Sequence, residues 1–183
     1  MRERSDEALM AAYADGDMSA FEQLYRRHRG PLYRYILRQA GDAPTANDLY
    51  QGCWEKIIRA RRNYRPTAPF QAWMYRIAHN HIVDQFRRSR PAAEVSADAL
   101  QADDPGPDQV LARAQAAARL AAAVLALPAE QREAVLLRLE AGLDLRDIAE
   151  VTGVNQETAK SRLRYAVAKL KQSLAATQDG PCP

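Results

Sequence analysis

Apolar residues along the first half of this chain recur at spacings of three and four, the period of a helix face rather than of a strand. The spacing predicts a short helix over residues 6–14, opened by Asp6 as its cap and stopped by Asp15, Gly16 and Asp17. Ser19 is placed to cap a longer helix with Phe21, Leu24 and Tyr25 on one face and, past the interruption at Gly30 and Pro31, Leu32 and Ile36. Gly41 and Asp42 end it, and Pro44 is tolerated in the first turn of the next. That third helix runs to about residue 62 with Leu49, Cys53, Trp54, Ile57 and Ile58 inward. A loop over 63–69 follows, and residues 70–88 return to helical spacing through Trp73, Ile77 and Ile82.

Residues 91–108 break the pattern. They hold three prolines, a glycine and five uncompensated acids among few large apolar side chains, a composition that reads as a linker unable to build a core. Beyond it, Asp108 is placed to cap a helix to residue 127, and Pro128 starts another with Val135, Leu136 and Leu139 that Gly142 ends. A short helix over 145–152, a turn at Gly153, Val154 and Asn155, and a longer basic helix over 156–174 complete a helix-turn-helix arrangement, with Ala159, Leu163, Val167 and Leu170 inward.

Composition narrows the fold further. Of 183 residues 47% are hydrophobic, only 7% are aromatic and eight are glycine, which disfavours sandwiches and barrels and points to an all-α protein, divided by the linker into two small helical domains. The longest nearly uncharged stretch, 114–127, contains Arg119 and is closed by Pro128, too short to span a bilayer. The charged first seven residues do not lead into a signal-peptide core, so a cytoplasmic location without membrane insertion is expected. Cys53 and Cys182 lack further cysteines or histidines at ligand spacing, and His79 and His81 lie on different helix faces, so neither a disulfide framework nor a metal site is expected.

Charge is divided unevenly. Residues 1–90 carry 16 basic against 10 acidic side chains, residues 91–108 none against five, and residues 109–183 ten against eight. Within 56–90, nine cations face one acid, Asp84, enough to attract a polyanion. Aromatics are interleaved there: Tyr64, Trp73 and Tyr75 stand among Arg61, Arg62, Arg65 and Arg76. Such a surface can hold unstacked bases, each stack contributing about 1–3 kcal/mol. Asn63 offers a donor and an acceptor to a base edge. Trp73 is also in phase with Ile77 for core packing, and Asn63 is equally a turn cap. In the last helix Glu157, Lys160, Ser161 and Arg164 share a face that could enter a major groove, or form the polar outside of an ordinary helical hairpin.

Several segments together resemble the extracytoplasmic-function sigma factors. They are 20–28 (Ala-Phe-Glu-Gln-Leu-Tyr-Arg-Arg-His), 69–80 (Pro-Phe-Gln-Ala-Trp-Met-Tyr-Arg-Ile-Ala-His-Asn) with Asp84, Arg87 and Arg88, then 127–135 (Leu-Pro-Ala-Glu-Gln-Arg-Glu-Ala-Val), 148–150 (Ile-Ala-Glu) and 158–163 (Thr-Ala-Lys-Ser-Arg-Leu). The resemblance implies a specificity subunit of RNA polymerase with no catalytic site or cofactor, whose partners are core polymerase and promoter DNA. It implies sigma domain two over 1–90, an acidic linker over 91–108 threading the RNA exit path, sigma domain four over 109–176 and a tail over 177–183. On it, Arg62, Asn63, Tyr64, Arg65, Trp73, Tyr75, Arg76, Asn80, Arg87 and Arg88 meet the minus-ten element. Asn155, Gln156, Glu157, Thr158, Lys160, Ser161, Arg162 and Arg164 meet the minus-thirty-five element. Thr45, Asn47, Asp48 and Gln51 meet the polymerase. An anti-sigma factor is a further partner of the kind the family takes.

The chain departs from the family at one place. Where relatives carry Asp-Ala-Glu-Asp-Leu-Val-Gln-Glu, whose acids meet a basic arm of the polymerase, residues 45–52 read Thr-Ala-Asn-Asp-Leu-Tyr-Gln-Gly, and only Asp48 is retained. A phosphate on Thr45 would restore about −1.5 to −2 charges at a helix N-terminus, which makes a Ser/Thr protein kinase a candidate partner. The rival reading is a two-domain repressor or activator that binds duplex DNA and senses a ligand in an apolar pocket within 1–90. A metal-dependent nuclease needs more clustered acids than Asp84 with His79 and His81 supply.

Overall fold

A computed structural model describes residues 4–89 and 109–176, in which side-chain caps at Ser5, Asp17, Asp42, Asp144 and Asn155 each open an α-helix. Among the described residues all regular structure is helical, as the spacing predicts. The acidic linker, the Asp108 cap, Cys182 and the tail lie outside the described residues.

Helix α1 (Asp6–Ala14) is capped by Ser5, whose hydroxyl accepts the Ala8 N–H at 3.2 Å, so Asp6 is its first residue and not its cap. Helix α2 (Met18–Ala40) is capped by Asp17 and not by Ser19. Asp17 is the extended residue before the helix, and its Oδ1 accepts the N–H groups of Ser19 and Ala20 at 3.0 and 3.2 Å; Ser19 is already helical. Helix α2 passes through Gly30 and Pro31 unbroken and ends at Gly41, whose φ of +84° is left-handed. Asp42 caps α3 (Ala43–Ala60) through the Thr45 N–H at 2.8 Å, a 3₁₀ turn covers Arg61–Asn63, and α4 spans Phe70–Ser89. Leu9, Met10, Leu24, Leu32, Ile36, Ile57, Phe70 and Met74 are fully buried between these four helices.

The second half comprises α5 (Gln109–Leu125), α6 (Ala129–Leu139), α7 (Leu145–Thr152) and α8 (Gln156–Ala176). Two expected core positions face outward: Leu139 is 60% and Val167 38% exposed. On α6 four successive residues, Ala134, Val135, Leu136 and Leu137, are buried, because this helix packs on α8 and also on α2. On α8 the inward position is Ala166, one residue and about 100° before Val167. The two halves pack on each other, α4 against α7 and α2 against α5 and α6, and their buried apolar residues form one continuous cluster.

Candidate nucleic-acid interface

The 3₁₀ turn and the loop after it hold Arg62, Asn63 and Arg65 exposed, with the Arg65 guanidinium donating to the carbonyls of Arg62 and Tyr64, both at 3.2 Å. Tyr64 and Tyr75 are not available to bases. Tyr64 is 6% exposed and packs edge-on against Phe70 and Trp73, 6.1 and 5.2 Å between centroids, with burial pushing its phenol up to about 12. Tyr75 is 1% exposed, edge-on to Tyr35 at 5.2 Å, and burial raises its pKa well above the ordinary value. Helical phase buries Tyr75, which shares the inward stripe of α4 with Ala78 and Ile82, while Tyr64, the extended residue after the 3₁₀ turn, is covered by the rings of Phe70 and Trp73. Trp73 is half-buried, its ring against those of Tyr64 and Phe70.

The outer face of α4 carries Arg76, Asn80, Arg87 and Arg88, all exposed, with Arg87 donating to Asp84 at 3.3 Å. Phe86, 41% exposed next to Arg87 and Arg88, is an accessible ring that sequence reasoning passed over, because nothing local distinguishes it from a core phenylalanine.

On α3, Asn47, Asp48 and Gln51 are exposed and Thr45 is half-buried in the first turn. Tyr33 donates to Asn47 Oδ1 at 3.0 Å, tying this face to α2. Gly52 makes room for a side chain from α4: a Cβ there would stand 2.5 Å from His81 Nε2. Burial first, and then Lys56, lower the pKa of that imidazole. The sequence marks Gly52 only as a missing acid.

In the helix-turn-helix, Asp144 caps α7 through the Asp147 N–H at 2.8 Å, and Gly153 closes it with φ +68°. Asn155 caps α8, its Oδ1 accepting the Thr158 N–H at 2.8 Å. Gln156, Glu157, Lys160 and Arg164 are exposed on α8, with Thr158 and Ser161 partly so. Arg162 is turned elsewhere: its side chain is 21% exposed and pairs with Glu130 of α6 at 3.1 Å, fastening α8 instead of reaching outward.

A polar seam joins the halves. Glu140 pairs with Arg34 at 2.8 Å and with Arg38, and Glu133 accepts the Tyr35 hydroxyl at 2.9 Å while lying 2.5 Å from His79 Nδ1. Burial, with Glu133 next in weight, raises the Tyr35 pKa well above its ordinary value. Arg76 meets Glu150 at 3.6 Å. A 310 Å³ crevice at the seam is lined by Asp6, Arg27, His28, Gln71 and Glu140 among others, a polar surface unlike the apolar ligand pocket a repressor reading expects. Partners 54 to 106 residues apart leave no local trace in the sequence. Among the described residues no helix is long and apolar enough to cross a membrane, and no three His, Cys, Asp or Glu side chains converge as a metal-ligand set.

Residues 24–91 match the family described as Sigma-70 region 2, and residues 117–170 match Sigma-70, region 4. The ECF RNA polymerase sigma factor SigE of Mycolicibacterium smegmatis is 34% identical over 182 residues, covering 94% of this chain and 70% of its own. SigM of Mycobacterium tuberculosis is 33% identical over 180 residues, covering 97% and 89% respectively. Among solved structures, CnrH in complex with the cytosolic domain of CnrY has a TM-score of 0.70 at 26% identity, over 97% of this chain and all of that one. RpoE of Bartonella quintana, solved with the anti-sigma factor NepR, gives 0.70 at 23% identity over 85% and 96%, a likeness of fold.

Proposed function

The chain belongs to the extracytoplasmic-function RNA polymerase sigma factors, and from that premise we propose how its surfaces divide promoter recognition. It is a non-catalytic subunit that acts with core RNA polymerase in the cytoplasm. Residues 1–90, sigma domain two, engage the polymerase and the minus-ten element, and residues 109–176, sigma domain four, engage the minus-thirty-five element. The observation that carries this reading is the exposure of two cation-bearing reading surfaces, one on each helical half: Arg62, Asn63, Arg65, Asn80, Arg87 and Arg88 on the first, and Gln156, Glu157, Lys160 and Arg164 on the second. Half-buried Trp73 and exposed Phe86 supply the stacking rings. A protein inhibitor of the anti-sigma kind is a further partner, in keeping with the likeness to CnrH, which is solved with the cytosolic domain of CnrY.

The α3 face, with Asp48 as its retained acid, docks on a basic polymerase surface, and Thr45 is the position at which a Ser/Thr kinase strengthens that docking. Two physical facts bear on this. The helix N-terminus favours an added phosphate, while the Asp42 carboxylate that caps the Thr45 N–H opposes it. The phosphate's gain therefore comes from the partner's cations, not from the helix itself.

Binding of core polymerase to the wild type, Thr45→Glu and Asn47→Glu at equal salt tests the charge gate. The acidic variants should bind about tenfold tighter, about 1.4 kcal/mol. Equal affinity for all three removes the gate and keeps the sigma function; no binding by any of them overturns the polymerase-docking role. In cells, full activity of Thr45→Ala under the inducing condition rules out the phosphate switch.

A further inference from the structure

From residue 109 onward the sequence holds one aromatic side chain, Tyr165, and the fold does not place it in the core. Tyr165 is 52% exposed on α8, whose inward row is Ala159, Ala166 and Leu170. It follows Thr158 and Ser161 by seven and four positions, so it stands on the outward face of the helix beside the row of Glu157, Ser161 and Arg164. The ring lies at the rim of a 370 Å³ crevice between α6 and the first half of α8.

What the ring holds is Arg164. The guanidinium carbon lies over the ring, 5.1 Å from its centroid, and Nη2 donates to the Tyr165 hydroxyl at the long distance of 3.5 Å. Two neighbouring cations of α8 are met by carboxylates instead: Arg162 pairs with Glu130 at 3.1 Å and Lys160 with Glu157 at 4.0 Å. Among the described residues no carboxylate pairs with Arg164, so its charge is held in place without being neutralised.

We infer that Tyr165 is a positioning residue for Arg164: the ring fixes the guanidinium on the outward face of α8 in the orientation that meets duplex DNA. A ring face attracts a cation through its quadrupole and leaves the charge available to a second partner. The guanidinium carries five N–H donors, so one shared with the Tyr165 hydroxyl leaves four for the planar fork that fits a guanine edge or a phosphate. A long arginine side chain loses rotamer freedom when it binds, and one already resting on a ring with two torsions of its own has less to lose. Arg164 lies eight residues, about 12 Å, beyond Gln156 along the axis, away from the N-terminal residues that a recognition helix inserts most deeply. There the reach of the side chain makes the contact, and the ring sets that reach.

The inference rests on α8 being the helix that reads duplex DNA; the pair itself does not, so each is measured on its own. In the free full-length chain the Arg164 side-chain proton resonances should be shifted upfield by the ring current in the parent and in Tyr165→Phe, and should return to solvent-exposed values in Tyr165→Leu. Solvent-exposed values in the parent overturn the pair. For DNA, holoenzyme assembled from the chain and bacterial core RNA polymerase selects a duplex from a random-sequence library, and affinity for that duplex is compared at equal salt. Tyr165→Leu should bind about three- to fivefold more weakly, the size of an exposed cation–ring contact, and Tyr165→Phe within about twofold of the parent. Arg164→Ala should lose about tenfold, and adding Tyr165→Leu to it should cost nothing more. An equal loss from Tyr165→Leu in both backgrounds, or none in either, overturns the positioning. Selection of no duplex by the parent overturns the reading of α8, while the resonances still decide the pair. Both side chains are exposed, so none of these variants removes a core contact.

Discussion

Glu7 belongs to α1 yet completes α4: its Oε1 accepts the Phe70 N–H at 2.9 Å, a donor that Pro69, the preceding residue, has no side chain to satisfy. Its neighbour Asp6 binds Arg27 and His28, each at 2.7 Å, and the His28 ring lies 5.3 Å from that of Phe70. One acidic pair therefore holds the start of the helix that follows the basic loop. The Phe70 N–H keeps the Glu7 carboxyl below its ordinary 4.5 against the opposing effect of partial burial. A carboxyl depressed in the folded state adds stability that is present above the unfolded value and lost as pH falls through the folded one. Glu7→Gln should therefore lose about 1 kcal/mol at neutral pH and show a flatter loss of stability below about pH 4.5, read from denaturant melts across pH. In sequence Glu7 is only an acid near a helix start, and Tyr64 and Tyr75 look alike as stacking rings. The contacts that assign all three come from residues distant along the chain or from helical phase against a neighbour.

At the scale of elements, signals carried by the segment itself survive folding well. The turn between α7 and α8 is one of them: Gly153 at φ +68° leaves its N–H to bond the Ala149 carbonyl, and an L side chain there meets the left-handed penalty. Gly153→Ala should destabilise the chain by about 1–2 kcal/mol, visible as a lower melting temperature, with faster amide exchange concentrated in α7 and α8. Helix limits were legible for the same reason, since caps such as Asp42, Asp144 and Asn155 act within three residues of themselves. The caps of α1 and α2 each fell one or two residues from the nearest plausible candidate, where adjacent Ser and Asp residues compete for the same N–H groups. Burial around a helix was less legible. Leu139 and Val167 are apolar and in approximate phase, but which flank of α6 or α8 is covered depends on where the other helices lie.

At the scale of the molecule, the separation of charge has a thermodynamic signature. On the proposed reading the exposed cations of the first half meet a polyanion, a contact that works mainly through counterion release, each phosphate contact adding about 0.7 to the dependence of log K on log salt for a single strand. Replacing Arg87 or Arg88 by alanine should weaken single-strand binding and reduce that slope by about 0.7 for each contact removed, checked by titration at several salt concentrations. The sequence by itself determined the all-helical class, the helix-turn-helix and the clustering of cations over 56–90, because periodicity, capping and net charge are local or additive properties of the chain. Only the tertiary structure decided that Tyr64 and Tyr75 lie beneath the basic surface, that His81 fills the space over Gly52, and that Glu133 and Glu140 close on Tyr35, His79, Arg34 and Arg38. Those facts depend on which faces meet across tens of residues, and burial and pairing of that kind are properties of two surfaces at once, which no single stretch of sequence contains.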